Sequence, residues 1–94
     1  MSHNNFEEWE IIREQLLQLI RNKDPKTSEL MRKGIDLLIY ILDETEEATP
    51  LNYLERTAFI ESNIDKHVAF VQLDELIKET KKKLARIRAQ SKSE

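Results

Sequence analysis

Apolar residues recur at steps of three and four in four separate stretches of this chain, and a proline or a polar cluster interrupts each stretch from the next. Such spacing lines up one face of a helix. In the first stretch Phe6, Trp9, Ile12, Leu16, Leu19 and Ile20 follow Asn5, a candidate N-cap, with Glu7, Glu8 and Glu10 near the positive end of the helix dipole. This predicts a helix over 5–22. Asn22-Lys23-Asp24-Pro25-Lys26 ends it, because proline is excluded from a helix interior but suits a first turn, which Asp24 can cap. The second helix is therefore expected over 25–44, carrying Leu30, Met31, Ile35, Leu38, Ile39 and Leu42. Leu37, Tyr40 and Ile41 widen its stripe, which makes it the candidate for the most buried helix. The run from Ile35 to Leu42 also reads as a strand, but its helical flanks and the lack of a partner strand favour a helix.

Thr49-Pro50 again pairs a cap with a proline at a first helical position and opens a third helix over 50–64. Its stripe, Leu51, Leu54 and Ala58 with Tyr53, Ile60 and Ile64, is shorter and weaker. The fourth, over 70–89, has the cleanest period, Phe70, Leu73, Leu76, Ile77, Thr80, Leu84 and Ile87, and a tail expected to fray after Ile87. Trp9, Phe6, Phe59 and Phe70 are expected as core anchors. Gly34, inside the second helix at a cost of ~1 kcal/mol relative to alanine, is expected to mark a close approach of two helices. Four amphipathic helices on short connections bury their stripes only against one another, so the expected fold is all-α, an antiparallel up-down-up-down four-helix bundle spanning 1–94 as one domain.

Composition narrows the function. A length of 94 residues supports one modest core, and one glycine with two prolines is too few turn-formers for a many-stranded sheet protein. There is no cysteine, hence no disulfide framework or thiolate site, which fits a cytoplasmic location. The N-terminal segment lacks the basic and apolar regions of a signal peptide, and no apolar run approaches the ~20 residues that span a bilayer. Charge is divided unevenly: residues 78–94 carry seven Lys/Arg against two acidic groups, whereas residues 1–77 carry eight basic and sixteen acidic. The C-terminal end is a basic prong on an acidic body.

The inventory for catalysis is thin, and the chain is expected not to be an enzyme. Only His3 and His67 exist, without a second histidine at helical spacing, so no metal and no cofactor is expected. Met1-Ser2-His3 chelates Cu²⁺ or Ni²⁺ only through a free N-terminus, and His67 reads as a solvated turn residue. Glu46/Glu47 lie in a solvated charge run. Gly34 cannot build a phosphate loop, and no small-molecule substrate is indicated.

The feature that calls for a partner is the cluster Lys81, Lys82, Lys83, Arg86 and Arg88. It either complements the dipole at a helix C-terminus or meets an anionic partner or membrane surface. Nucleic acid fits less well, since no aromatic residues interleave the cluster and the acidic body repels phosphate.

Lys23-Asp24-Pro25-Lys26-Thr27-Ser28-Glu29-Leu30 at the first corner, Thr49-Pro50-Leu51-Asn52-Tyr53-Leu54 at the third helix, and Phe70 followed by Asp74-Glu75-Leu76-Ile77 give the chain a resemblance over roughly 6–88. It resembles the immunity proteins for pediocin-like (class IIa) bacteriocins, in particular the enterocin A immunity subgroup. The resemblance implies a cytoplasmic four-helix bundle conferring antimicrobial peptide resistance by protein–protein interaction. It would engage, from the cytoplasmic side, the membrane sugar permease (mannose phosphotransferase system) that the bacteriocin uses as receptor, with peripheral contact to the membrane. Two features depart from that pattern: Val71 stands where members carry a Ser or Thr cap, and little chain follows Ile87. The alternative is a regulatory or adaptor bundle, antitoxin-like, that binds a cytosolic protein.

Overall fold

The computed structural model describes residues 4–92, so the Met1-Ser2-His3 chelate and the last two residues of the expected tail lie outside the described residues. The chain is all-α: α1 (Asn5–Arg21), α2 (Thr27–Glu44), α3 (Tyr53–Ser62) and α4 (His67–Lys92), with one 3₁₀ turn at Glu46–Ala48. No strand occurs among the described residues.

Local chemistry explains the boundaries. Asn4, one residue before the expected cap, accepts a hydrogen bond from the Glu7 N–H at 2.9 Å, and its amide donates to the Glu7 carboxylate at 3.1 Å. The first bond is an ordinary N-cap, and the second holds the cap side chain in place from Glu7. At the other end of α1 the Lys23 N–H donates to the Ile20 carbonyl and the Asp24 N–H to the Leu19 carbonyl. That is a Schellman ending, and it places Lys23 at φ 52, where glycine is usual. The Asp24 carboxylate accepts from the Lys26 N–H at 2.9 Å, so Asp24-Pro25-Lys26 forms a separate turn and α2 begins two residues later than expected.

The helices run up, down, up, down, but they do not share the core equally. α4 packs against α1, α2, α3 and the 3₁₀ turn, whereas α3 packs against α4 alone. The result is a slab of 49 × 34 × 17 Å with a radius of gyration of 14.0 Å. A compact domain of this length would have about 12–13 Å. α4, rather than α2, is therefore the axis of the fold. On α2 the buried stripe is Met31, Gly34, Ile35, Leu38, Ile41 and Leu42, while Ile39 and Tyr40 face outward.

Gly34 does mark a close approach. A Cβ there would lie 2.7 Å from Cζ3 of Trp9 and 3.0 Å from Cδ2 of Leu73, so α1, α2 and α4 converge on it.

Helix α3 corrects the expected pattern most. Its inward face is Tyr53, Arg56, Thr57, Ile60 and Ile64, spaced by three and four, and only Ile60 is fully buried. Leu51, Leu54 and Ala58 are exposed, the first two at 77% and 79%, and Phe59 is exposed rather than a core anchor. Asn52 enters the helix at φ 57, a left-handed turn that asparagine tolerates. α4 starts at His67 rather than Phe70, on the turn Asn63–Lys66, and stays helical through Lys92 where fraying was expected. Its start three residues upstream means that Val71 lies inside the helix and occupies no cap position.

Candidate functional site

Three features of the folded chain could carry function: a buried ionic cluster, the basic end of α4, and the outer face of α3.

The ionic cluster joins α1 to α4. Asp74 lies on the buried side of α4, and its Oδ1 accepts from Nε1 of Trp9 at 3.0 Å and from Nε of Arg13 at 3.2 Å. Lys78, one turn on, reaches Oδ2 at 2.9 Å. The Arg13 guanidinium also sits 5.9 Å from the centre of the Phe70 ring, which packs against Trp9. Burial pushes the Asp74 carboxyl up, but the hydrogen bonds from Trp9 and Lys78 and the charges of Arg13 and Lys78 outweigh it and hold the pKa below the ordinary value. An ionised, fully engaged carboxylate has no proton to give. The cluster locks α1 to α4.

A second pair joins α3 to α4. Arg56 donates to both oxygens of Glu79, at 3.0 and 2.6 Å, and also to Gln72 and to the Leu51 carbonyl. The hydrogen bond from Arg56 is the main reason that the Glu79 carboxyl lies below its ordinary pKa. This fork turns the inward edge of α3 towards α4 and leaves Leu54 and Ala58 on the far side.

Of the five basic residues expected at the binding site, four are exposed and Lys83 is half-buried. The Lys81 ammonium sits 5.8 Å from the centre of the Phe6 ring, and the half-buried Lys83 donates to the Thr49 carbonyl at 3.0 Å. Both therefore tie α4 to its neighbours. Lys81, Lys82, Arg86 and Arg88 stay exposed, with Lys81 and Arg88 lining a cleft of about 450 Å³ beside Glu7, Glu10 and Glu44. His67 is exposed, with its ring 6.0 Å from that of Phe70.

The outer face of α3, with Leu54, Ala58 and Phe59 exposed, was not foreseen as a site, nor was a groove along its inward edge. Tyr53 lines a groove of about 430 Å³ with Ile39, Leu42, Asp43, Glu46 and Thr49, open because α3 does not close onto α2. Burial, with the nearby Asp43 charge, raises the Tyr53 pKa. Among the described residues no group of three His, Cys, Asp or Glu side chains could hold a metal ion, and no helix is long and apolar enough to cross a membrane.

Fold and surface together define a small helical bundle whose most distinctive exposed feature is an apolar helix face. A family model described as YpoC-like protein matches residues 1–92, and the chain belongs to that family. Neither a curated protein nor a solved structure matches it.

Proposed function

We propose that this chain is a non-catalytic binding module that engages another macromolecule through the outer face of α3. The observation that carries this reading is the exposure of Leu54, at 79%, on a helix supported from one side only, and of Leu51, at 77%, on the turn that leads into it. Isolated apolar side chains on a surface need no explanation, but here two leucines lie almost fully outward with Ala58 a turn beyond Leu54 and Phe59 beside it. A photo-crosslinking amino acid at position 58, in the cells that make the protein, tests the reading, with position 32 on α2 as control. One discrete adduct from position 58, absent from position 32 and lost when Leu51 and Leu54 are both replaced by Gln, is expected. Equal labelling from both positions contradicts it.

The basic cluster Lys81, Lys82, Lys83, Arg86 and Arg88 supports a narrower second reading, immunity to a pediocin-like bacteriocin by contact with the cytoplasmic side of the sugar permease. Expression in a sensitive bacterium followed by challenge with a panel of such peptides tests it. Protection that disappears when the five residues become Gln supports it, and sensitivity to every peptide removes it.

A further inference from the structure

We infer that the ligand of the α3 face is a cationic amphipathic helix belonging to a different protein; the inference rests on the proposed role of that face and adds the chemistry of its partner. Residues 43–62 hold six acidic side chains and one basic one, and that one, Arg56, is turned inward onto Glu79. Glu55 and Glu61 flank Leu54 and Ala58 on the exposed side, with no cation paired to either among the described residues. At the opening of the groove beside Tyr53 stand Asp43 and Glu46. Leucines set in a field of unpaired carboxylates select against most occupants. An anionic lipid surface or a nucleic acid would be repelled by that field. Pairing of two α3 faces in a second copy brings like charges together; reciprocal pairing of each α3 face with the basic α4 end of the other copy would close a two-fold dimer, the outcome that sedimentation velocity separates below.

The remaining occupant with the right chemistry has an apolar stripe for Leu54 and Ala58 on α3 and for Leu51 on the turn before it, and basic residues on both sides of that stripe. A helix of about three turns has this geometry, with anchors at i, i+3 or i+4 and i+7. The length of α3, ten residues, sets a matching span. Charge would govern the encounter rate and its salt dependence, and the leucines the dissociation rate.

The test uses the full chain and three synthetic fourteen-residue helices: one of Leu and Lys with the leucines on one face, one with Glu in place of every Lys, and one with the Leu/Lys order scrambled. Amide NMR titration and calorimetry read the binding. Saturable binding of the Leu/Lys helix, with shifts centred on residues 51–61, is expected; the Glu helix should not bind and the scrambled one should bind about tenfold more weakly. Replacing Leu51 and Leu54 together by Gln should weaken binding about tenfold or more without changing helical circular dichroism, since both side chains are almost fully exposed. Shifts centred on another element, or affinity unchanged in the double variant, overturn the inference. So does a dimer seen by sedimentation velocity that the double variant abolishes, because the occupant is then a second copy. If position 58 still gives its specific adduct in cells while the Leu/Lys helix fails to bind, the docking face survives and the partner chemistry is wrong.

Discussion

Helices α1 and α3 both lie antiparallel along α4, and each is tied to it by an arginine–carboxylate contact, yet they play opposite parts. α1 is backed by α2, inserts Trp9 against Gly34 and delivers its indole N–H and the Arg13 guanidinium to a buried Asp74. α3 has nothing behind it, buries Ile60 fully, and reaches α4 through Arg56 and the half-exposed Glu79. The difference separates stability from recognition. The α1–α2–α4 side carries most of the cooperative core, and α3 presents a surface whose side chains can change at little cost to the fold.

The comparison breaks first at Trp9. Trp9→Ala removes a fully buried ring and an Asp74 donor, and is expected to cost about 3–5 kcal/mol in denaturant unfolding. Leu51→Gln with Leu54→Gln should stay within about 0.5 kcal/mol, so equal losses would erase the distinction. Asp74→Ala is next, at about 2–3 kcal/mol, because it leaves the indole N–H and the half-buried Arg13 without their acceptor.

That loss depends on pH. The folded-state pKa of Asp74 lies below its ordinary value, so between the two values the unfolded chain binds more protons than the folded one. The contribution is complete above the ordinary carboxylate range, near pH 4, and disappears as pH falls through the lower folded value. Acid titration of stability should therefore be shallower below about pH 4 in Asp74→Asn than in the parent chain. Equal slopes would show that the cluster contributes nothing through its charge.

Gly34→Ala sharpens the same side. Helix propensity favours alanine by ~1 kcal/mol, but the new methyl meets a ring pinned by its hydrogen bond to Asp74. Overpacking wins, and a net loss of about 1–2 kcal/mol is expected from thermal unfolding. The smallest effects are on the exposed elements. Arg56→Met should cost ~0.5 kcal/mol globally, since Glu79 is half exposed, while loosening α3 locally. Lys23→Gly should stabilise by ~0.5–1 kcal/mol, because Lys23 holds the left-handed conformation that a Schellman ending gives to glycine.

Periodicity made α1, α2 and α4 legible in the sequence because each has one apolar stripe far stronger than any rival. In the segment expected as a helix over 50–64 two stripes compete: Leu51, Leu54 and Ala58 on one side, and Tyr53, Ile60 and Ile64 with Arg56 and Thr57 between them on the other. Hydropathy alone ranks the leucines inward. Which side turns in depends on how many neighbours α3 has and on the Glu79 carboxylate that Arg56 finds, and neither is a local property. The Asp74 cluster escaped for a related reason. A carboxylate one turn after Phe70 and beside Leu73, in a chain with one tryptophan needing an acceptor, was the available signal, but the pairing spans 65 residues. The basic cluster was legible as charge, but the sequence did not tell that the Lys83 ammonium turns back onto the Thr49 carbonyl or that Lys81 sits over Phe6.

Native-state hydrogen exchange tests the division between the two sides most directly. Amides of Leu54–Ser62 in α3 should exchange through a local opening of distinctly lower free energy than those around Ile12, Leu38 and Leu73, and Arg56→Met should lower that opening further while leaving the others unchanged. Exchange of α3 only through global unfolding, with the same protection as α4, would contradict the account: α3 would then be part of the core, and its outward leucines would need another explanation.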